Sequence, residues 1–287
     1  MPEAFFVSDL HGQTERYQKL FRTIEAEKPQ GVFLGGDLFP HEFASLEGAG
    51  GKHSDFLVDV IVPGLRLVRD TMGADYPRVF VIMGNDDLKA EEPAMKEVQR
   101  EGLWQYLHMQ KTEWAGHTLY GYANVPPTPF RLKDWERYDV SRFIDPGCMA
   151  PEEGWQSTPV DERELRLGTI QKDLEALTKG EDLAASIVLF HSPPYETKLD
   201  RAALDGRFVD HVPVDVHVGS VAIRRMIEKR QPLLTLHGHV HESARVTGTW
   251  RDSLGRTQMF SAAHDGPELA LIRFNPDRPA EATRELI

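Results

Sequence analysis

The residues best able to do chemistry in this chain come in five short clusters, each behind an apolar run. Asp9-Leu10-His11 follows Ala4–Val7, and Gly36-Asp37 follows Gly31–Leu34. Gly84-Asn85-Asp86-Asp87 follows Arg78–Met83. His191 follows Ile187–Phe190, and His237-Gly238-His239-Val240-His241 follows Leu233–Leu236. Carboxylate, imidazole and amide oxygen are ligands for hard-to-borderline divalent cations, and no thiolate is offered. Asp9 and His11 stand two apart at a strand end, so an extended backbone is expected to place both side chains on one face. The same expectation applies to His239 and His241. Gly12, Gly36, Gly84 and Gly238 permit tight turns beside these groups. The candidate metal ligands Asp9, His11, Asp37, Asn85, His191, His239 and His241 exceed the four that one tetrahedral ion takes. Two ions sharing a carboxylate would use them all.

The elements that must position these clusters alternate. Thr14–Lys28 reads as a helix, with Tyr17, Leu20, Phe21 and Ile24 on one face and Pro29 as its stop. Phe56–Met72 reads as a second helix, interrupted near Pro63-Gly64. The β-α-β-α-β order predicts an α/β fold with parallel strands. In open sheets of this kind ligands bind outside the carboxyl ends of the strands, which is where the five clusters fall. Further on, Arg163–Lys179 and Ser220–Arg230 read as helices, the second capped by Ser220. Ala244–Trp250, Thr257–Ala262 and Leu269–Phe274 read as short strands. We expect one domain over 1–287, with an ordered cap or insertion at about 124–160. That segment is rich in Pro, Gly and aromatics, and Trp135, Tyr138, Phe143 and Trp155 either bury it or stack on a planar substrate group. Glu152-Glu153 reads as a solvated pair.

Composition removes several function classes. The chain has 287 residues, with 40% hydrophobic and 27% charged, which excludes a largely disordered chain. Its net charge is −12, against a grip on long duplex nucleic acid and without a polybasic membrane patch. One cysteine, Cys148, excludes an intramolecular disulfide and reads as an inert packing thiol. No apolar run approaches the roughly 18 residues of a membrane span, and no signal peptide is visible, so a cytoplasmic location without membrane partners is expected. The oligomeric state is left open. Neither Gly-x-Gly-x-x-Gly nor a P-loop follows any strand, which weakens a nucleotide-binding Rossmann reading.

Taken in order, D-x-H, G-D, G-N-x-D, a lone His after a strand and G-H-x-H resemble the motifs of the calcineurin-like metallophosphoesterase superfamily. The stretch Val218-Gly219-Ser220-Val221-Ala222-Ile223-Arg224, followed by Gly238–Ser243, is similar to its Icc-related branch. The resemblance implies a four-layer α-β-β-α sandwich with two mixed β-sheets. It implies two divalent metal ions, with Asp9, His11, Asp37 and His241 at the first and Asp37, Asn85, His191 and His239 at the second, Asp37 bridging. Mn, Fe, Zn, Ni and Co all accept such ligands, and Mn is favoured. It implies hydrolysis of a small phosphorylated substrate by a metal-bridging hydroxide, with the ions about 3.5–4 Å apart. Catalytic roles then fall on Asp37, His11 and Asp86, and His237 is a candidate to orient an imidazole. The family commonly has His where this chain has Asp86. An acidic side chain there repels phosphate and does not serve a poor leaving group, so a phosphodiesterase is favoured over a monoesterase. The rival reading is a non-catalytic, metal-dependent binder of a phosphorylated ligand. His41, His53, His108, His117, His211, His217 and His264 read as structural or surface histidines.

Overall fold

A computed structural model of the chain describes residues 3–40 and 55–287. Strands β1 (Ala4–Val7), β2 (Gly31–Gly35), β3 (Arg78–Ile82) and the short β4 (Gln105–Tyr106) run parallel. β1 and β2 are buried along their whole length, as the unbroken apolar runs demand of strands covered on both faces. Strands β5 (Gln110–Trp114), β6 (His117–Tyr122) and β7 (Ile187–Phe190) begin a second sheet. A two-residue hairpin pair follows, β8 (Phe208–Val209) and β9 (Val212–Pro213). The second sheet is completed by β10 (Leu234–His237), β11 (Arg251–Leu254) and β12 (Thr257–Ser261). The first is completed by β13 (Ala270–Phe274) and β14 (Thr283–Leu286).

The sheet orders are β14-β13-β1-β2-β3-β4 and β11-β12-β10-β7-β6-β5. In the first sheet β1 to β4 are parallel, with β13 antiparallel to β1 and β14 antiparallel to β13; in the second the four central strands β12, β10, β7 and β6 are parallel and the edge strands β11 and β5 antiparallel, so both sheets are mixed. The sheets share a core. Phe33 of β2 meets Trp114 of β5 with ring centroids 5.5 Å apart, and Phe260 of β12 meets Phe274 of β13 at 6.3 Å. Alternate residues on β6 and β7 (Tyr120, Tyr122, Val188 and Phe190) face the other way and pack with the helices Ile170–Leu177 and Val221–Arg230. Tyr17 and Leu20 of the helix Thr14–Glu27 and Leu65 of the helix Val62–Met72 join the shared core from the first sheet's side. Each fully buried large apolar side chain contributes roughly 1.5–3 kcal/mol. The result is the expected α/β architecture of helix, sheet, sheet, helix.

Three local expectations are corrected. Arg163–Lys179 is two helices, Glu162–Leu167 and Ile170–Leu177. Gly168 takes an extended conformation between them, at a place where a side chain would collide with Arg137, and Thr169 caps the second helix by accepting from Lys172 N–H. Ala244–Trp250 is not a strand. Ser243–Thr247 is a short helix, which Gly248 ends with φ 75°. The hairpin β5–β6 was not anticipated, because its solvent-facing residues carry charge. Glu152 is not free in solvent: it accepts from the Tyr138 hydroxyl at 2.9 Å and from Arg142 at 2.7 Å. In the same segment Trp135 and Tyr138 are buried while Phe143 and Trp155 are exposed. The Phe56–Met72 helix has its expected irregularity, as π-type winding over Leu57–Ile61 that gives way to the α-helix Val62–Met72 with Pro63 in its first turn. Ser220 caps Val221–Arg230 as expected, accepting from Ile223 N–H.

Candidate metal centre

The carboxyl ends of β1, β2 and β3 in one sheet meet those of β7 and β10 in the other. Asp9 Oδ1 lies 3.2 Å from His241 Nε2, and His241 Nε2 lies 3.0 Å from His11 Nε2. Asp37 Oδ2 is 3.2 Å from His191 Nε2 and 3.9 Å from His11 Nε2. His191 Nε2 also lies 3.1 Å from Asn85 Oδ1. The His191 and His239 rings stand 5.3 Å apart, and His239 N–H donates to Asp9 Oδ1 at 2.9 Å. Asp9, His11, Asp37 and His241 each present a ligand atom within 4.8 Å of one another. All seven side chains named from the sequence therefore gather in one place.

The backbone that brings them together is not the extended one expected. Asp9, His11, Asp37 and His239 have φ of 57°, 45°, 53° and 73°, the left-handed region that non-glycine residues avoid. Asp9 and His11 share a site because the chain turns sharply there, with Leu10 buried in the core between them. Such conformations cost about 1–3 kcal/mol each and persist where their surroundings enforce them. Here Asp9 N–H donates to Gly36 O at 3.0 Å, and His11 N–H donates to Asp37 O at 2.8 Å. The loops after β1 and β2 thus hold each other.

The electrostatics show a site that demands cations. Burial alone would raise the Asp9 and Asp37 carboxyls. For Asp9, His241 outweighs it and lowers the group to about 2. For Asp37, His191 does the same and holds it well below the usual carboxylate range. Burial opposes a charge on the imidazoles too, yet Asp37 brings His191 up to about 10 and Asp9 brings His241 up to about 9. Burial keeps His239 down at about 3 and leaves His11 below its ordinary range. Two buried carboxylates side by side favour positive charge at this place, which divalent cations would supply. Asp9 Oδ2 is buried with no hydrogen-bond partner among the described residues. A buried carboxylate oxygen without a donor, on a side chain whose other oxygen lies beside His241, fits a metal ligand.

Supporting residues complete the site. Asp87, fully buried, accepts from Leu38 and Phe39 N–H at 2.8 and 2.9 Å through Oδ1 and from Gly84 N–H at 2.8 Å through Oδ2. It ties the loop carrying Asp37 to the loop carrying Asn85. Arg16 is buried and donates to Asp9 O at 2.6 Å and to Gly266 O. Neither role was read from the sequence. The available signal was an arginine in the apolar i, i+4, i+8 row of Arg16, Leu20 and Ile24. His191 Nδ1 lies 2.8 Å from Gly35 O, which fixes its ring. His237 does not orient an imidazole: its nitrogens pair with Ser192 O at 2.9 Å and Thr235 Oγ1 at 2.7 Å, and its ring stacks on Phe190. Asp86 lies at the site's rim, its N–H donating to Asp37 Oδ1 at 2.9 Å and its Oδ2 3.7 Å from His11 Nδ1. His108, His117, His211, His217 and His264 take no part in the cluster, and His41 and His53 lie outside the described residues. Burial pushes the Cys148 thiol up to about 11, away from the reactive thiolate. No described helix is long and apolar enough to cross a membrane.

The family model for calcineurin-like phosphoesterases matches residues 4–243. Solved structures share the fold at low identity. TT1561 of Thermus thermophilus is 15% identical with a TM-score of 0.56, over 99% of this chain and 98% of that one. A dimetal phosphatase from Danio rerio is 12% identical with a TM-score of 0.52, over 95% of this chain and 91% of that one. No curated protein matches the chain.

Proposed function

Because the chain belongs to the calcineurin-like phosphoesterase family, we propose that it is a dinuclear metal-dependent phosphodiesterase acting on a small phosphorylated substrate. The observation that carries this reading is Asp37. One of its oxygens, Oδ2, faces both His191 and His11, so two sets of donors meet at a single carboxylate. Asp9, His11, Asp37 and His241 would hold one ion, and Asp37, Asn85, His191 and His239 the other. When bound, such ions acidify a water and neutralise phosphoryl oxygens in an in-line displacement. Mn²⁺ is our first choice.

The chain's own residues then divide the labour. Asp37 fixes the spacing of the two donor sets, and Gly35 O and Asp87 keep His191 and the loops in register. His11 lies between Asp37 and Asp86, beside the place for the reacting phosphate. An acidic Asp86 at the rim favours a singly charged diester over a doubly charged monoester, since repulsion grows with the substrate's charge. The single cysteine fits a reducing compartment, so we assign the protein to the cytoplasm.

Turnover of bis(p-nitrophenyl) phosphate with added Mn²⁺ tests the reading, with two ions bound per chain. Asp37→Ala and His239→Ala should each lower turnover at least about a hundredfold, more than loss of an outer partner of a ligand costs. Full metal occupancy without turnover of diesters or monoesters would replace it with the rival of a metal-dependent phosphoryl-ligand binder.

A further inference from the structure

A cavity of about 100 Å³ lies outside the seven candidate ligands. Lys89, His108, Asn124, Asp134, Glu136 and Arg137 are among its lining residues. Lys89 stands four residues after Asn85 on the loop that leaves β3, and a chain of that length spans at most about 14 Å. Asn124 lies just after β6, whose neighbour β7 is followed directly by His191. The cavity therefore opens on the same edge of the two sheets as the metal ligands. The Lys89 N–H donates to Asp134 Oδ2 at 2.7 Å, which ties the metal-bearing loop to the segment forming the cavity wall.

Hydrogen bonding in the lining is lopsided. Its carboxylates are satisfied from within: Asp134 accepts from Lys89 N–H and from Ser157 N–H and hydroxyl, Glu136 from Thr128 and Lys133, and Glu164 from Arg137. Two donors are not. Lys89 Nζ has no carboxylate partner among the described residues and lies 5.2 Å over the Trp135 ring. His108 packs edge-on to the same ring at 5.0 Å, and its Nδ1 accepts from Ala123 N–H at 3.0 Å. That bond leaves the ring proton on Nε2, for which the described residues provide no acceptor. Burial, then the charges of Lys89, Lys96 and Arg137, push His108 down to about 3, so its ring is a neutral donor at pH 7. An ammonium without a carboxylate partner and an imidazole N–H without an acceptor thus line the same cavity, and an oxyanion would satisfy both.

We propose that this cavity is a specificity subsite, in which Lys89 and His108 receive a second anionic group of the substrate, a phosphate or a carboxylate, while its ester phosphate lies at the metal centre. The assignment rests on the proposed phosphoesterase function for its role in turnover, but not for the binding of an anion. A cavity of about 100 Å³ admits a compact oxyanion.

Equilibrium binding to the full-length, metal-stripped protein tests the site without any catalysis. Isothermal titration with inorganic phosphate and with malonate should show saturable binding of at least one, which identifies the preferred group. Lys89→Ala should weaken that binding about tenfold, and Lys89→Arg should retain it. Equal affinities in wild type and Lys89→Ala, or no saturable binding of either anion, would overturn the proposal. With Mn²⁺ loaded, Lys89→Ala should raise KM for a diester bearing a second phosphate or carboxylate and leave bis(p-nitrophenyl) phosphate unchanged. An equal effect on both substrates also overturns it. If no ester is turned over at all, the enzymatic reading fails, and the titration alone decides the subsite.

Discussion

Asp37 Oδ2 and His191 Nε2, 3.2 Å apart, join the end of β2 in one sheet to the end of β7 in the other. The contact is possible because Gly84 passes beside it without a side chain. A methyl at that position would overlap Asp37 Oδ1 and come within 2.7 Å of His191 Cε1. Gly84→Ala should therefore displace the carboxylate between the two donor sets while leaving the sheets folded. The expected outcome is a loss of bound Mn²⁺ by elemental analysis and at least about a hundredfold loss of diester turnover. A variant with full metal content and wild-type turnover would show that the site tolerates this crowding.

Asp86 occupies the rim, where its Oδ2 is 3.7 Å from His11 Nδ1. Asp86→His replaces an acidic group with one able to donate a proton to a leaving oxygen. The ratio of monoester to diester turnover should rise about tenfold or more. An unchanged ratio would mean that this side chain does not set the preference.

Asp87 tests the scaffold rather than the chemistry. Its removal in Asp87→Ala leaves three buried N–H groups, those of Leu38, Phe39 and Gly84, without their acceptor. Unsatisfied buried donors cost roughly 1–3 kcal/mol each before relaxation and water entry, so a net loss of about 3 kcal/mol is expected in urea unfolding. Asp87→Asn, which keeps one acceptor oxygen, should lose less.

His108 gives a pH signature. Its imidazole is held at about 3 in the folded chain, against 6.5 for the free group. Between those values the unfolded chain binds the proton and the folded chain does not, so stability falls as pH drops below 6.5. From pH 8 to pH 5 the loss from this group is about 2 kcal/mol. His108→Gln keeps an acceptor for Ala123 N–H and should flatten the stability profile over that range by a similar amount. A profile as steep as that of the wild type would place the titration elsewhere.

The ligand types and their order were legible from residues alone, because a strand end followed by Asp, Asn or His advertises itself whatever surrounds it. So was the α/β class, since apolar runs such as Val79–Met83 admit little but a buried strand. The hairpin Gln110–Tyr122 escaped because the solvent-facing residues of its first strand carry charge, which hides the strand pattern. Sequence spacing explained the joint placement of Asp9 with His11 by an extended chain, whereas φ values of 57° and 45° show a turn enforced by the neighbouring β2 loop. Likewise, the structural use of Asp87 and Arg16 depends on N–H and C=O groups that belong to other loops. The chain by itself thus determined which side chains exist to hold cations. Only the packing of one sheet on the other decided that they meet, because donor distances of about 3 Å arise from backbones held together by contacts remote in sequence.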